Sequence, residues 1–136
     1  GLDALAAGRD WLWIEGNHDR EALSPGDAAP SRLPGRVAEE IALGGLRLIH
    51  APTPGLSTGE AAGHLHPAAR VAAHGRGVRR PCFVTDGARL LLPAFGAFAG
   101  GLSVRDPAIA GLFAAPPLVV LLGPDKVHAF DWAQVG

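Results

Sequence analysis

The sequence is poor in cysteine, since Cys82 is the only one among its 136 residues. A single thiol excludes an internal disulfide and leaves the six histidines as the main source of metal ligands. Cys82 stands between Pro81 and Phe83 in an apolar stretch. This setting predicts a small buried core residue rather than a nucleophile.

Long apolar runs and a strong net charge are missing as well. No run approaches the roughly 18 apolar residues that a membrane-spanning helix needs, and the first residues have neither the basic segment nor the apolar core of a signal peptide. We therefore expect no membrane partner and a cytoplasmic location. The formal net charge of -1 produces no global field that would attract nucleic acid. Any contact with nucleic acid must come from a local patch.

What the sequence does contain is a succession of short apolar runs separated by turn residues. Gly44-Gly45 lies between apolar residues 37–42 and 46–49, and this arrangement predicts a tight hairpin. Two further hairpins are predicted at Asp86-Gly87 and at Gly123-Pro124-Asp125. The second half of the chain should therefore consist mostly of strands.

Helical patterns are rare by comparison. Only residues 106–113, which begin with Asp and Pro, are typical of a helix. The bulky apolar residues 11–14 predict a buried strand that stops at Gly16, and residues 24–34 predict a surface loop. We expect residues 1–136 to form one domain of the α/β class, rich in strands, as one sheet of a layered sandwich.

The first chemically distinctive motif is Gly16-Asn17-His18-Asp19, at the end of the first predicted strand. The amide oxygen of Asn17 is a hard, neutral ligand for a divalent ion. A nearby histidine such as His18 can donate a proton to a leaving oxygen, and Asp19 can fix its orientation. By itself the same motif also suits an ordinary loop with an Asx turn.

Two histidine motifs follow. His50 ends the apolar run 46–49, a position where a lone histidine is more often a plain edge residue than a ligand. In Gly63-His64-Leu65-His66 the two imidazoles should point the same way on an extended chain and reach two neighbouring ions. Pro67 then ends the strand pairing.

The order of the three motifs resembles that of the calcineurin-like metallophosphoesterase superfamily. The resemblance implies a two-sheet α/β sandwich and a site with two divalent metal ions, which stabilise the charge that builds on a phosphoryl group during hydrolysis. It implies Asn17, His50 and His64 as ligands of one ion and His66 as a ligand of the other. By the same resemblance, His18 is the catalytic histidine and Asp19 its partner. Mixed nitrogen and oxygen ligands suit Mn, Fe or Zn, of which we favour Mn.

The sequence also departs from the family pattern. The family's Asp-x-His and Gly-Asp-x-x-Asp motifs, which supply further ligands and the bridging carboxylate, do not occur before Gly16. We therefore expect the chain to be a C-terminal portion of the fold. We also expect no appreciable phosphodiesterase activity from these residues alone, even with manganese.

Residues 62–68, 79–83, 85–87, 92–96 and 100–102 bear a closer resemblance to the bacterial DNA-ligase-associated metallophosphoesterase, a DNA damage response endonuclease. This implies phosphodiester hydrolysis, with DNA as substrate, and association with a DNA ligase and a helicase. The alternatives are a phosphomonoesterase or nucleotide phosphodiesterase of the same superfamily, or a non-catalytic truncated binding module.

The densest basic stretch follows the last histidine motif. It offers four candidate contacts to phosphate or nucleic acid: Arg70, Arg76, Arg79 and Arg80. A solvated strand face is the plainer interpretation of the same residues. No aromatic residue is interleaved with these arginines, which argues against a stacking platform for single strands. Phe95 and Phe98 could line the substrate cleft, but we expect them to pack in the core, and we expect His128 to be structural.

Overall fold

The structure is a computed structural model that describes residues 2–16, 35–73, 75–95 and 100–136. Its elements are listed here in chain order: α1 Leu2–Ala6, β1 Leu12–Ile14, β2 Arg36–Ala38, β3 Glu40–Leu43, β4 Leu46–Ile49, β5 Glu60–Ala62, β6 Ala68–Ala73, β7 Arg76–Thr85, β8 Arg89–Leu91, α2 Pro107–Ala110, β9 Leu118–Leu122, β10 Val127–Asp131 and a 3-10 helix Trp132–Gln134. Among the described residues, no helix has the length and apolar character needed to cross a membrane.

Most strands belong to one mixed sheet with the order β10-β9-β7-β8-β5-β4-β3, and β6 pairs with β7. Strand β5 is parallel to both of its neighbours, β4 and β8, whereas the remaining pairs of this sheet are antiparallel. Strands β1 and β2 form a separate parallel pair. The strand-rich α/β class predicted from the sequence is confirmed.

The Gly44-Gly45 hairpin forms as predicted, between β3 and β4. Both glycines have positive φ, 58° and 82°, which a residue without a Cβ adopts at little cost. The predicted strand over 37–42 is interrupted, however. Residues up to Ala38 pair with β1, and pairing with β4 begins only at Glu40, so two different neighbours divide this segment.

The other two hairpins are also confirmed. Strands β7 and β8 are joined through Asp86, whose Oδ1 accepts hydrogen bonds from the backbone N–H groups of Ala88 at 3.0 Å and Arg89 at 2.9 Å. Strands β9 and β10 pair across the turn that contains Pro124. In both cases the turn residues supply the local hydrogen bonds or backbone geometry that a reversal needs.

The predicted helix is present but short. The side chain of Asp106 caps its N-terminus by accepting a hydrogen bond from Ala108 N at 2.9 Å, and Pro107 occupies the first turn. The helix ends at Ala110 with Gly111 as its cap, so residues 111–113 lie outside it. Leu112 and Phe113 instead turn into the core.

The core lies between β7, β8, β9 and the segment around α2. Cys82 is completely buried there, and burial raises the pKa of its thiol to about 12, against a smaller lowering effect from the charge of Arg79. Its predicted role as a core residue is confirmed. Residues 11–14 are only half-buried, so the expectation of a buried first strand is wrong.

Since β4, β5 and β8 are parallel, their N-terminal ends meet at one edge of the sheet. Glu60 and Arg89, the first residues of β5 and β8, are opposite each other there and almost fully buried. Glu60 Oε1 lies 3.0 Å from Arg89 Nε, and Glu60 Oε2 accepts a hydrogen bond from Arg47 Nη2 at 2.9 Å. Thr53 N and Ser57 Oγ donate to the same carboxylate.

These contacts decide the protonation of Glu60. Burial alone raises the pKa of its carboxyl group, because a charge is poorly solvated in the interior. The hydrogen bonds from Thr53 and Arg47 and the positive charge of Arg89 outweigh that effect. The pKa of Glu60 therefore lies below its ordinary value of 4.5, and the group is a carboxylate at neutral pH.

Candidate functional site

The C-terminal ends of the same parallel strands bring two predicted site residues together. His50 follows β4, and Gly63 and His64 follow β5. The last residues of these strands, Ile49 and Ala62, are opposite each other, and Gly63 N donates a hydrogen bond to His50 O at 3.0 Å. Strand register thus places the His50 and Gly63-His64 motifs side by side.

The two imidazoles are in direct contact. His50 Nε2 and His64 Nδ1 are 3.1 Å apart, and the ring centroids are 4.9 Å apart with the planes inclined at 65°. In the absence of a metal ion, such a contact needs one protonated nitrogen and one lone pair. With both lone pairs turned to a common ion, the same two atoms are ligands.

The separation of these nitrogens fits that second arrangement. Histidine nitrogens bind Zn²⁺ at about 2.0–2.1 Å, so neighbouring ligands of one ion lie roughly 3.0–3.4 Å apart. The observed 3.1 Å falls in this range. Among the described residues, no group of three or more His, Cys, Asp or Glu side chains forms a complete site. The two histidines by themselves therefore do not make a complete metal site.

Gly16 brings the end of β1 against this pair. A Cβ atom at Gly16 would lie 2.8 Å from Cε1 and 3.0 Å from Nδ1 of His50, which is closer than a side chain normally approaches. Glycine thus allows close packing against an imidazole that any larger residue would have to displace, a role that its place before a turn did not reveal. Asn17, His18 and Asp19 follow Gly16 in the sequence and lie outside the described residues.

The segment with His64 and His66 is folded differently from the expectation. Both residues have positive φ, 57° and 48°, so the extended chain predicted here is wrong. Strand β5 ends at Ala62, and the turn that follows allows Leu65 to pack against the core. Left-handed backbone costs a residue with a side chain about 1–2 kcal/mol, and such strain is concentrated at functional sites.

His66 lines a small cleft between this turn and the β6–β7 hairpin. The cleft has a volume of about 50 Å³, and its walls are formed by His66, Ala68, Arg79, Arg80, Pro81, Ala94, Gly100 and Gly101. A Cβ atom at Gly101 would lie 2.2 Å from His66 O, so only glycine allows the two backbones to approach this closely.

The four predicted phosphate contacts all lie on the β6–β7 hairpin and are exposed. Arg70 and Arg79 are directly opposite each other, whereas Arg76 is opposite Ala73 and Arg80 is opposite Ala69. Arg79 Nη2 donates a hydrogen bond to Gly101 O at 2.5 Å. Arg79 thus lies at the cleft that His66 also lines. This proximity depends on how β7 pairs with β6 and could not be predicted from the sequence.

Two further expectations concern aromatic and histidine residues outside the motifs. Phe95 is fully exposed, so its predicted place in the core is wrong, and Phe98 lies outside the described residues. Phe95 directly follows Ala94, which lines the cleft beside Arg79. His128 is exposed on β10, in the hairpin with β9.

No protein-family model matches the chain, and the search of curated proteins finds no match. Among solved structures, the chain is similar to the crystal structure of Pseudomonas putida nuclease MPE, with a TM-score of 0.64 and 32% sequence identity. The similarity covers 93% of this chain and 57% of that one, so the chain spans a little over half the length of the nuclease. This likeness confirms the predicted fold class, a strand-rich α/β part of the metallophosphoesterase fold.

Proposed function

We propose that this chain carries part of the active site of a metal-dependent phosphodiesterase that acts as a nuclease. The observation that carries the proposal is the contact between His50 and His64, at 3.1 Å, where two parallel strands end beside Gly16. The similarity to a nuclease over 93% of the chain supports it.

In the proposed ligand set, His50, His64 and Asn17 hold one divalent ion and His66 holds a second. Asn17 follows Gly16, which packs against the His50 ring, and this adjacency in sequence supports its inclusion. When bound, divalent ions polarise a phosphoryl group and make water a better nucleophile at neutral pH. The mixed nitrogen and oxygen donors suit Mn, Fe or Zn, and Mn is the ion we would test first.

The remaining residues of the first motif act on the substrate in this proposal. His18 donates a proton to the oxygen that leaves phosphorus, and Asp19 holds the imidazole in the orientation that this transfer needs. The sequence has neither an Asp-x-His nor a Gly-Asp-x-x-Asp motif before Gly16. Because such motifs would supply further metal ligands, we propose that the 136 residues alone are inactive. We also propose that the substrate is DNA and that a DNA ligase and a helicase are partners.

The test uses the protein encoded by the whole reading frame that contains this chain. Hydrolysis of bis-p-nitrophenyl phosphate is measured with Mn²⁺ for the unchanged protein, for His64→Ala and for His128→Ala. We expect activity that His64→Ala lowers by at least about 100-fold, the loss typical for a group that acts on the transition state. His128→Ala should retain it, because His128 lies on the exposed β10 strand.

Equal activity in the unchanged protein and in His64→Ala would contradict the proposed site. Turnover of p-nitrophenyl phosphate alone would favour a phosphomonoesterase, and inactivity of a folded, manganese-loaded protein on both substrates would favour a non-catalytic binding module. Turnover by the 136 residues alone that disappears in His18→Ala would contradict the proposed inactivity of this segment.

A further inference from the structure

The β6–β7 hairpin carries positive charge without any negative charge beside it. Residues 68–85 contain four arginines and no aspartate or glutamate, although acidic residues outnumber basic ones by 13 to 12 in the whole chain. All four arginines are exposed, and no described carboxylate forms an ion pair with any of them. Protein surfaces usually intersperse the two signs, so a hairpin of one sign favours a negatively charged partner.

The charges are distributed along the hairpin and do not meet at one point. Arg70 and Arg79 are directly opposite each other in the strand register. Arg79 Nη2 donates to Gly101 O at the end of the hairpin where the cleft lies. The Arg70 side chain extends the other way, since a Cβ atom at Gly77 would lie 3.2 Å from Arg70 Nη1 and 3.7 Å from its Cδ. Two paired positions thus carry their charges toward opposite ends.

Gly77 is what allows Arg70 to lie along the neighbouring strand. A Cβ atom 3.2 Å from Nη1 would be closer than side chains usually approach, so a larger residue here would displace the guanidinium. Gly77 directly follows Arg76, which is paired with Ala73 at the last register position before the turn. Arg70 and Arg76 therefore bring positive charge to the turn end of the hairpin.

The other two arginines lie at the opposite end. Arg79 and Arg80 line the cleft together with His66, which follows His64 in the same turn. The four arginines form a strip, here called the basic strip, that leads from the cleft to the hairpin turn. From Arg80 to Arg76 the strand covers roughly 13 Å at about 3.3 Å per residue. One strand of a duplex has a phosphate about every 3.4 Å along its axis, so the strip is long enough for several phosphates.

We propose that the basic strip is the nucleic-acid interface of this protein, along which the phosphates of a substrate strand run from the cleft toward the hairpin turn. The planar guanidinium fork suits phosphate oxygens, and contacts to phosphate carry no sequence information. Residues 68–81 contain no aromatic side chain, so the strip does not offer bases a surface for stacking. The choice of nucleic acid as the polyanion rests on the proposed function.

The experiment measures binding of a fluorescein-labelled single strand of thymidine nucleotides by anisotropy, at several KCl concentrations. The protein from the whole reading frame is used in EDTA, so that no strand is hydrolysed. We expect Arg76→Gln and Arg80→Gln each to weaken binding about three- to tenfold, the loss for one exposed hydrogen bond. Each should also make the slope of log K against log [KCl] shallower by about 0.7, the value for one phosphate contact on a single strand.

Lys126→Gln is the matched control, because it removes one positive charge from the exposed β9–β10 turn. It should leave the affinity within about twofold and the salt slope unchanged. Equal weakening by Lys126→Gln would indicate only the general field of the protein and would overturn the interface. Loss in Arg80→Gln with none in Arg76→Gln would overturn the strip, because contact would then be confined to the cleft. Thermal unfolding verifies that each variant is folded.

Competition identifies the polyanion. Unlabelled DNA should displace the labelled strand at a much lower concentration of charges than poly-glutamate does, because a carboxylate chain lacks the phosphate oxygens that the guanidinium groups bind. Equal displacement by poly-glutamate would overturn nucleic acid as the partner and indicate an acidic polypeptide.

The interface and the proposed function can fail separately. Strand binding that depends on Arg76 and Arg80, in a protein that does not hydrolyse bis-p-nitrophenyl phosphate with Mn²⁺, would support the interface and contradict the proposed function. Hydrolysis that depends on His64, in a protein that does not bind the strand, would support the proposed function and overturn the interface.

Discussion

The two ends of the parallel strands β4, β5 and β8 carry polar residues that differ in burial and in backbone strain. At the N-terminal edge, Glu60 and Arg89 are buried and bonded to several partners. At the C-terminal edge, His50 and His64 contact each other beside a glycine, and His64 has a left-handed backbone. The first edge is a buried network of charges, whereas the second carries an exposed histidine with a left-handed backbone. We expect the first edge to stabilise the fold and the second to bind a ligand.

At the N-terminal edge, the buried charge of Arg89 is stabilised by several acceptor groups. Besides Glu60, Arg89 donates from Nη1 to Gly55 O at 2.8 Å and from Nη2 to Thr53 O at 2.7 Å. It also donates to Leu112 O at 3.2 Å, so one side chain connects the sheet with the segment after α2. Removing charges from water is costly, and the ion pair with Glu60 together with these three hydrogen bonds offsets that cost in part, since Arg89 Nε makes the ion pair but no hydrogen bond to a described residue.

The largest effect is expected at this N-terminal edge. Glu60→Ala leaves Arg89 buried without its carboxylate and should lower the free energy of unfolding by about 3–5 kcal/mol, measured by urea unfolding. Glu40→Ala is the matched control, because Glu40 is an exposed partner of Arg47 and such pairs contribute only about 1 kcal/mol or less. If Glu60→Ala does not fold, Glu60→Gln provides the comparison. Equal losses at the two positions would contradict a structural role for the buried pair.

A smaller effect is expected for Gly16→Ala at the C-terminal edge. The added Cβ would lie 2.8 Å from the His50 ring, and overpacking of this kind costs about 1–3 kcal/mol. Gly100→Ala is the control, since a Cβ there meets no atom within 4 Å. Thermal unfolding gives the stabilities, and imidazole NMR signals report whether the His50 and His64 rings separate. Unchanged signals and stability in Gly16→Ala would disprove the close approach.

The strain at His64 should appear as a difference between two substitutions at one position. Because its φ is 57°, His64→Gly should be more stable than His64→Ala by about 1 kcal/mol, although both remove the imidazole. On strand β10 the order should reverse, with His128→Gly less stable than His128→Ala by about 0.5–1 kcal/mol. The same order at both positions in urea unfolding would exclude backbone strain at the histidine edge.

The smallest effect is the pH dependence that Glu60 contributes. Its pKa is lower in the folded chain than its ordinary value of 4.5, so the unfolded chain binds more protons between the two values. The stability that Glu60 contributes is complete above about pH 4.5 and is lost as the pH falls through the folded pKa. The free energy of unfolding should therefore fall less steeply below about pH 4.5 in Glu60→Gln than in the unchanged protein. In Glu40→Gln its pH dependence should be the same as in the unchanged protein. An identical pH dependence in Glu60→Gln would contradict this assignment.

Local sequence predicted the elements that local interactions create. Gly44-Gly45, Asp86-Gly87 and the turn at Pro124 each formed the predicted hairpin, and Asp106 caps the predicted helix. Predictions from local sequence failed where residues distant in the sequence determine the backbone conformation. The segment 37–42 divides between two neighbouring strands, and the chain at His64 turns so that Leu65 can reach the core.

In the candidate site, too, some features could be predicted from the sequence and others depend on the tertiary structure. The types of its residues, and their positions after strands, could be read from the order of the motifs, although the ligand roles of Asn17, His50, His64 and His66 stay predictions. The contact of Gly16 with His50 depends on how β1 lies against the sheet, and no pattern around Gly16 indicates it. Likewise, the pairing of Arg70 with Arg79 depends on the register of β6 and β7.

By itself, the sequence determined the turns, the strand-rich class and the chemical groups available for binding a metal ion or a phosphate. These properties arise from interactions among residues that are close along the chain. Only the tertiary structure decided that Glu60 and Arg89 form a buried pair while His50 and His64 meet at the other edge. Both outcomes depend on which strands lie side by side and in which register, and burial of the whole core selects that arrangement.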